Sequence, residues 1–324
     1  MKALVCKEFG PAKNLKVEEI NEPIIKDDEV NIKVHAAGIN FPDILMVEGK
    51  YQFKPEFPFA PGAEAAGEIT AVGKNVTNYK IGQRVIAMTG HGAFAEIVKA
   101  PQKKIIPLSD NVDYEIASIL PMVYGTSAHA LIQRGKLKAE ETLLVHGAAG
   151  GVGLAAVEIG KAMGAKVIAT ASTDEKCSVA KEHGADETIN YSNGEFKETV
   201  KSMTDGRGAD VIYDPVGGDV FDQSLRCIAW EGRLLVIGFT SGRIPSAPAN
   251  LALLKSCDIV GVFWGAFVER TPQVNLQNFE QLYKWIEEGY IKPRISMKVS
   301  LENTLDAMKA IADRKIIGKA IVKI

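Results

Sequence analysis

Apolar and polar positions follow two different rhythms along this chain. Val30, Ile32, Val34 and Ala36 alternate with polar neighbours across Glu29–Ala36, the period of a half-buried strand. Residues 64–72, 84–87 and 93–99 carry the same kind of short β signal. Pro23, Gly38, Pro42, Gly49, Pro61, Gly62, Gly73 and Gly82 punctuate these strands. Several short strands before any long helix predict a β-barrel-like domain over residues 1–122. Near Pro121 the rhythm changes. Strands are expected at 143–146, 166–170, 188–190, 210–214, 233–238 and 259–264, separated by helical stretches. Alternation of near-continuous apolar strands with helices predicts a doubly wound α/β domain with a parallel sheet, at residues 123–267. Beyond it come helical stretches at 273–288 and 301–314 and a last strand at Lys319–Lys323. Residues 268–324 are read as a return segment completing the first domain.

The most informative junction is the first strand–helix turn of the second domain. Leu143, Leu144 and Val145 form a buried run, and Gly150, Gly151 and Gly153 follow within a few residues. Val152, Ala156, Ile159 and Met163 then recur on one helical face. Strand, glycine turn and helix are the setting in which backbone N–H groups and a helix N-terminus receive a pyrophosphate. Ala148 stands where the first glycine of G-x-G-x-x-G would be, and a plain tight turn remains the competing reading. The second strand ends at Ser172, without the acid that binds the ribose 2′-hydroxyl in NAD-binding units. Lys176 supplies a positive charge four residues on, which favours NADPH over NADH. Ser172 or Thr173 can equally serve as a helix cap, with Glu175 completing a capping box.

Composition narrows the partners. The chain has 324 residues, 46% hydrophobic and 24% charged, with a formal net charge of −2. That gives no reason to expect nucleic acid or an anionic membrane as partner. No apolar run reaches the ~20 residues of a membrane span, and Met1-Lys-Ala-Leu-Val-Cys6 lacks a signal-peptide plan, so a cytoplasmic location is expected. Cys6, Cys177, Cys227 and Cys257 form no Cys-x-x-Cys pair and read as buried thiols.

Seven stretches then carry a resemblance: Ala37-Gly-Ile-Asn-Phe-Pro-Asp43, Pro61-Gly-Ala-Glu-Ala-Ala-Gly67, Val145-His-Gly-Ala-Ala-Gly-Gly-Val-Gly-Leu154, Asp214-Pro-Val-Gly-Gly218, Val236-Ile-Gly-Phe239, Val260-Gly-Val-Phe-Trp-Gly265 and Gly318-Lys-Ala-Ile-Val322. Across essentially its whole length the chain resembles the medium-chain dehydrogenase/reductase superfamily, in its zinc-free quinone oxidoreductase (zeta-crystallin-like) branch. The resemblance implies a GroES-like β-barrel catalytic domain, a Rossmann domain and an active site in the cleft between them. Zinc-dependent relatives hold a catalytic metal near positions 40, 63 and 122. This chain has Asn40, Ala63 and Met122 there, which cannot make a stable zinc site, and no metal is expected. His35, His91, His129, His146 and His183 lie at scattered spacings and read as structural or surface histidines.

Carried over residue by residue, Asn40 and Asp43 resemble cleft residues beside nicotinamide and substrate, although a turn and a helix cap are their plain alternatives. Tyr51 resembles a tyrosine that reaches the cofactor, but it also sits in an aromatic loop that packs. These three are the catalytic candidates. Thr126 resembles a nicotinamide-side contact, and Ala149, Gly150, Gly151 and Val152 the pyrophosphate cradle. Ser172, Lys176 and Tyr191 resemble the clasp of a 2′-phosphate, with a strand-end aromatic the plain alternative for Tyr191. Phe239, Ser241, Phe263, Trp264 and Gly265 resemble the backbone that lines the nicotinamide, with core or interface packing the alternative for Phe263 and Trp264, and Lys319 resembles a charge near the phosphates. With no Lewis acid, a substrate that is already electrophilic needs least help. The implied activity is NADPH-dependent reduction of quinones, with Tyr51 or water as proton source. An enal, enone or enoyl-thioester reductase and a non-catalytic NADPH- or RNA-binding protein stand as alternatives. An apolar final strand at 258–267 further implies pairing in a homodimer.

Overall fold

The alternation at residues 29–36 extends into the longest strand of a computed structural model that describes residues 1–324, apart from the Asn193 side chain. In chain order the first strands are β1 (Lys2–Val5), β2 (Lys16–Glu19), β3 (Glu29–Ile39), β4 (Glu64–Val72), β5 (Arg84–Met88), β6 (Ile97–Pro101) and β7 (Ile105–Pro107). There follow β8 (Thr142–Val145), β9 (Lys166–Ala171), β10 (Glu187–Asn190), β11 (Ala209–Asp214), β12 (Ile228–Val236) and β13 (Asp258–Gly261). The last are β14 (Ile295–Ser300) and β15 (Lys319–Lys323). Two units result: Met1–Met122 with Arg294–Ile324, and Val123–Pro293.

In the first unit β3 pairs antiparallel with β4, β6 and β15, within a seven-stranded sheet ordered β14-β15-β3-β4-β5-β7 with β6 branching from β3. Val30, Ile32 and Val34 turn inward and pack with Ile69, Val85, Phe94 and Met308. The final strand returns as expected, Ala320 opposite Ile39 and Val322 opposite Ala37, which carries Lys319 to the end of β3. The strand read at 93–99 forms its ladder only over β6. The preceding Ala93 and Phe94 bond instead to Gly62 and Pro61, and Ala95 bridges Ala3.

The second unit is a parallel sheet ordered β10-β9-β8-β11-β12-β13. Leu143, Leu144, Val167, Ile168, Val211, Ile212, Leu234 and Leu235 are wholly buried, as helices on both faces require. The strand order reverses between β8 and β11, the switch point at which α/β sheets bind ligands. Two boundaries differ from the sequence reading. β13 stops at Gly261, and Trp264 opens a helix, Trp264–Arg270, with its indole buried and donating to Asn275 Oδ1 at 3.1 Å. The helix Pro272–Glu287 buries Asn275, Asn278, Phe279 and Leu282, and Asn278 Oδ1 accepts from Gln133 Nε2 at 2.8 Å. It therefore packs in the second unit, and the return begins at Arg294, not at residue 268.

A buried carboxylate ties the ends of this unit together. Glu158 accepts from Tyr124 Oη at 2.7 Å and from the Lys292 N–H at 3.1 Å, and pairs with His183 Nδ1 at 2.6 Å. Among the described residues no helix is long and apolar enough to cross a membrane.

Candidate functional site

Glycine turn and nucleotide unit

The glycine turn lies at the carboxyl end of β8. Gly147 takes a positive φ of 57°, and its carbonyl accepts from the Gly150 N–H at 2.9 Å. Gly150 then caps the helix Gly151–Ala162. A Cβ on Gly153 would sit 2.2 Å from the Gly147 oxygen, so only glycine closes this turn. The first-turn N–H groups of Gly151, Val152 and Gly153 have no partner within the helix, and they meet the positive end of its dipole. Ala148 is fully buried and gives its N–H to Thr170 O at 3.0 Å, which explains why a methyl is tolerated there. Ala149, Gly150, Gly151 and Val152 thus surround the start of this helix, and its free first-turn N–H groups are chemically suited to a pyrophosphate.

At the ends of β9 and β10 two of the clasp candidates meet, while Tyr191 packs, partly buried, against the second-unit core. Lys176 Nζ reaches Ser172 Oγ at 3.5 Å, and Ser192 Oγ donates to Ser172 O at 2.7 Å, which brings the turn at Tyr191 alongside. Thr173 is the helix cap, its Oγ1 accepting from the Lys176 N–H at 3.2 Å. Capping and clustering coexist. Asp174 is engaged sideways, its Oδ1 accepting from Asn190 Nδ2 at 2.7 Å.

Thr126 is half-buried on the helical stretch whose next residue, Ser127, donates to Val152 O at 3.0 Å. Phe239 and Ser241 lie over Gly217 and Gly218, where a Cβ would approach them to 2.9 and 2.8 Å. Phe263 is 70% exposed and Gly265 lies in the first turn of the following helix. The Trp264 indole is buried against Gly125 and donates its N–H to Asn275, so the side chain packs in this unit and only the backbone of Trp264 is left for the nicotinamide reading.

Asn40 cluster of the first unit

Four buried side chains converge at the end of β3. Asn40 caps the helix Phe41–Val47, and Asp43 Oδ2 accepts the Asn40 N–H at 2.7 Å, a reciprocal capping box. Asn40 Nδ2 donates to Glu64 Oε1 at 2.8 Å, and Glu64 Oε2 accepts the Met122 N–H at 2.8 Å. Lys319 Nζ donates to Asn40 Oδ1 at 2.6 Å and Ile39 O at 2.8 Å, and pairs with Glu64 Oε1 at 3.4 Å. Gly38 makes the room, since a Cβ there would lie 2.3 Å from Glu64 Oε1.

Lys319, read from the resemblance as a charge near the phosphates, here has its own acceptors within the first unit. Its ammonium is buried in the first unit on three acceptors, because β15 pairs in register with the end of β3. Desolvation, helped by the nearby Glu64 carboxylate, pushes the Asp43 carboxyl up to about 7, against the lowering effects of the Asn40 N–H, Lys319 and the Gly62 N–H. Asp43 Oδ1 is buried without a hydrogen-bond partner. Tyr51 is half-buried against the first-unit core, its N–H on Leu45 O at 3.1 Å. Phe53 and Phe57 of its loop stay partly exposed, Phe57 lying edge-on to Phe9 at 4.5 Å.

Glu64 was not singled out from the sequence. The available signal was a carboxylate heading a strand of buried alanines, which must be paired to be buried. A zinc ion does not fit this cluster: the Asn40 oxygen already receives an ammonium, and Ala63 and Met122 offer no hard donor. Among the described residues no group of three or more His, Cys, Asp or Glu side chains is placed to hold a metal. The histidines have structural partners; His146, for one, lies between Thr170 Oγ1 and Ser224 Oγ at 2.9 Å each.

Similarity to known proteins

Two family profiles match the chain: the alcohol dehydrogenase GroES-like domain over residues 26–110 and the zinc-binding dehydrogenase over residues 151–285. The quinone oxidoreductase-like protein 2 homolog of Nematostella vectensis is 40% identical over 325 residues, covering 99% of this chain and 88% of that protein. The crystal structure of Escherichia coli quinone oxidoreductase complexed with NADPH superposes with a TM-score of 0.92 at 28% identity, over 100% of both chains. A 2-haloacrylate reductase superposes with a TM-score of 0.90 at 27% identity, over 100% of this chain and 99% of that one.

Proposed function

Because the chain belongs to the quinone oxidoreductase family of the medium-chain dehydrogenases/reductases, we propose that it is an NADPH-dependent, zinc-independent reductase of quinones. The observation that carries this reading is the Asn40 cluster. Where a metal would polarise a carbonyl, the chain offers a buried amide held by an ammonium and a carboxylate. Hydrogen bonds of that strength suit an acceptor that takes hydride readily, so positioning supplies much of the rate.

NADPH, when bound, supplies hydride from C4 of its nicotinamide. The residues of this chain do the rest. Ala149–Val152 receive the pyrophosphate, and Ser172, Lys176 and Tyr191 the 2′-phosphate. Thr126, Phe239, Ser241, Phe263 and Gly265 serve the nicotinamide end. Asn40 donates to the acceptor oxygen, with Asp43 holding the Asn40 backbone. Tyr51 or water delivers the proton. The missing acid at Ser172 and the nearby Lys176 support NADPH over NADH.

The second reading is reduction of an activated carbon–carbon double bond, favoured by the likeness to a 2-haloacrylate reductase. One experiment separates the readings. The protein is mixed with NADPH or NADH and a panel containing para-benzoquinone, a simple enone, an enoyl thioester and 2-chloroacrylate, and loss of nicotinamide absorbance is followed. The expected result is quinone turnover with NADPH, at a kcat/KM well above that with NADH. Turnover of the enone or haloacrylate alone selects the second reading. NADPH binding without any turnover selects a non-catalytic role.

A cytoplasmic location is supported by four cysteines that are all unpaired. A homodimer is supported by β13, an open sheet edge with Ile259 partly exposed.

A further inference from the structure

An asparagine amide reads as donor on one side and acceptor on the other, and which side faces a ligand depends on its flip. At Asn40 the surroundings permit only one. Lys319 Nζ lies 2.6 Å from Oδ1 and Glu64 Oε1 lies 2.8 Å from Nδ2. A flipped amide would set its NH2 against an ammonium, which has no acceptor, and its carbonyl against a carboxylate, which has no proton. Both partners are at most 6% exposed, so water cannot take their place.

The hydrogen bonds also account for the amide's donors. One Nδ2–H is held by Glu64, while the other reaches Gly38 O only at 3.5 Å, the weak limit of a hydrogen bond. We propose that Lys319 and Glu64 are positioning residues that lock the Asn40 amide so that a single Nδ2–H is offered to the accepting oxygen of the substrate. This rests on the reading of Asn40 as the substrate-side donor. The lysine occupies the place of a metal's charge without its Lewis acidity. Its ammonium acts on the acceptor only through the amide it orients.

The lock is tested on the full chain carrying isotope-labelled asparagine, with NADPH and para-benzoquinone. The Asn40 amide resonances, assigned by their loss in Asn40→Ala, are expected to show two well-separated protons in the wild type. In Lys319→Met they should move to free-amide positions, and kcat/KM should fall on the order of tenfold to a hundredfold. The NADPH Kd should stay unchanged. In the Asn40→Ala background, Lys319→Met should then change kcat/KM by less than about twofold, as coupling through one residue requires. Glu64→Gln combined with Lys319→Met removes both charges, guards against misfolding from an unpaired buried carboxylate, and should show the same loss.

Unchanged amide resonances and kcat/KM in Lys319→Met would overturn the proposal. So would a weakened NADPH Kd with undisturbed amide signals, which would return Lys319 to the phosphates. If the wild type reduces no acceptor while the amide signals still collapse in Lys319→Met, the lock stands and the reductase reading falls.

Discussion

Asp43 is a carboxyl group in a setting that disfavours its charge. It is wholly buried, one oxygen caps the Asn40 N–H, and the other has no partner. Its folded pKa of about 7 lies above its ordinary 3.8, so the folded state favours the protonated form. The associated stability is fully present below the ordinary value and is lost as pH rises through about 7. Asp43→Asn, whose side-chain oxygen can still cap, should flatten the wild-type fall in urea midpoint across that window. Parallel midpoint curves for the two proteins would contradict it. His146 carries the opposite sign, since burial lowers its pKa to about 3 and its contribution is lost toward acid. Residue-scale partners were the least legible from sequence. Glu64 and Lys319 are 255 positions apart, and no local rhythm joins them. The Asn40–Asp43 capping box, three residues apart, was open to reading because its geometry is local.

At the scale of elements the glycine turn separates two physical effects. Helix propensity alone makes Gly153→Ala stabilising by about 1 kcal/mol. The Cβ 2.2 Å from the Gly147 carbonyl instead forces the turn open, with an overpacking cost of about 1–3 kcal/mol. Gly153→Ala should therefore lower the melting temperature and weaken NADPH binding at least tenfold in a fluorescence titration. A stabilised variant with wild-type affinity would show that the turn relaxes without consequence. The strands were legible where their sequence pattern was regular: residues 29–36 of β3 alternate apolar and polar, and β8, β9 and β11 carry the buried apolar runs Leu143–Val145, Val167–Ala169 and Val211–Tyr213. The failures came where apolar residues serve another element. Val262 to Phe267 reads as strand, yet the ladder ends and Trp264 turns inward as a helix begins, because its indole finds Asn275. The pattern registers burial, not which partner provides it.

For the molecule as a whole, the proposed homodimer rests on β13, the last strand of the parallel sheet. Leu253 and Leu254 of the helix Ala249–Lys255 are 77% and 64% exposed, and Phe263 is 70% exposed. Among the described residues β13 pairs only with β12, which leaves its other edge for a partner strand. A dimer mass is expected by light scattering at micromolar concentration, and Val260→Pro in β13 should shift it toward monomer. A wild-type protein that stays monomeric would refute strand pairing. The two-part plan was legible because the change of rhythm near Pro121 is abrupt. The second joint was not, because the helix Pro272–Glu287 has an amphipathic pattern that suits either unit, and only Phe279 and Leu282 in place reveal its host.

Glu158 gives this two-part plan a topological meaning. The chain leaves the first unit after Met122 and rejoins it at Arg294, so the second unit is an insertion with two joints. Tyr124, just inside one joint, and Lys292, just inside the other, bond the same carboxylate. The inserted cassette therefore pins the segments at both of its ends to one acceptor, and part of the entropy of closing that long stretch of chain is offset by bonds inside the cassette.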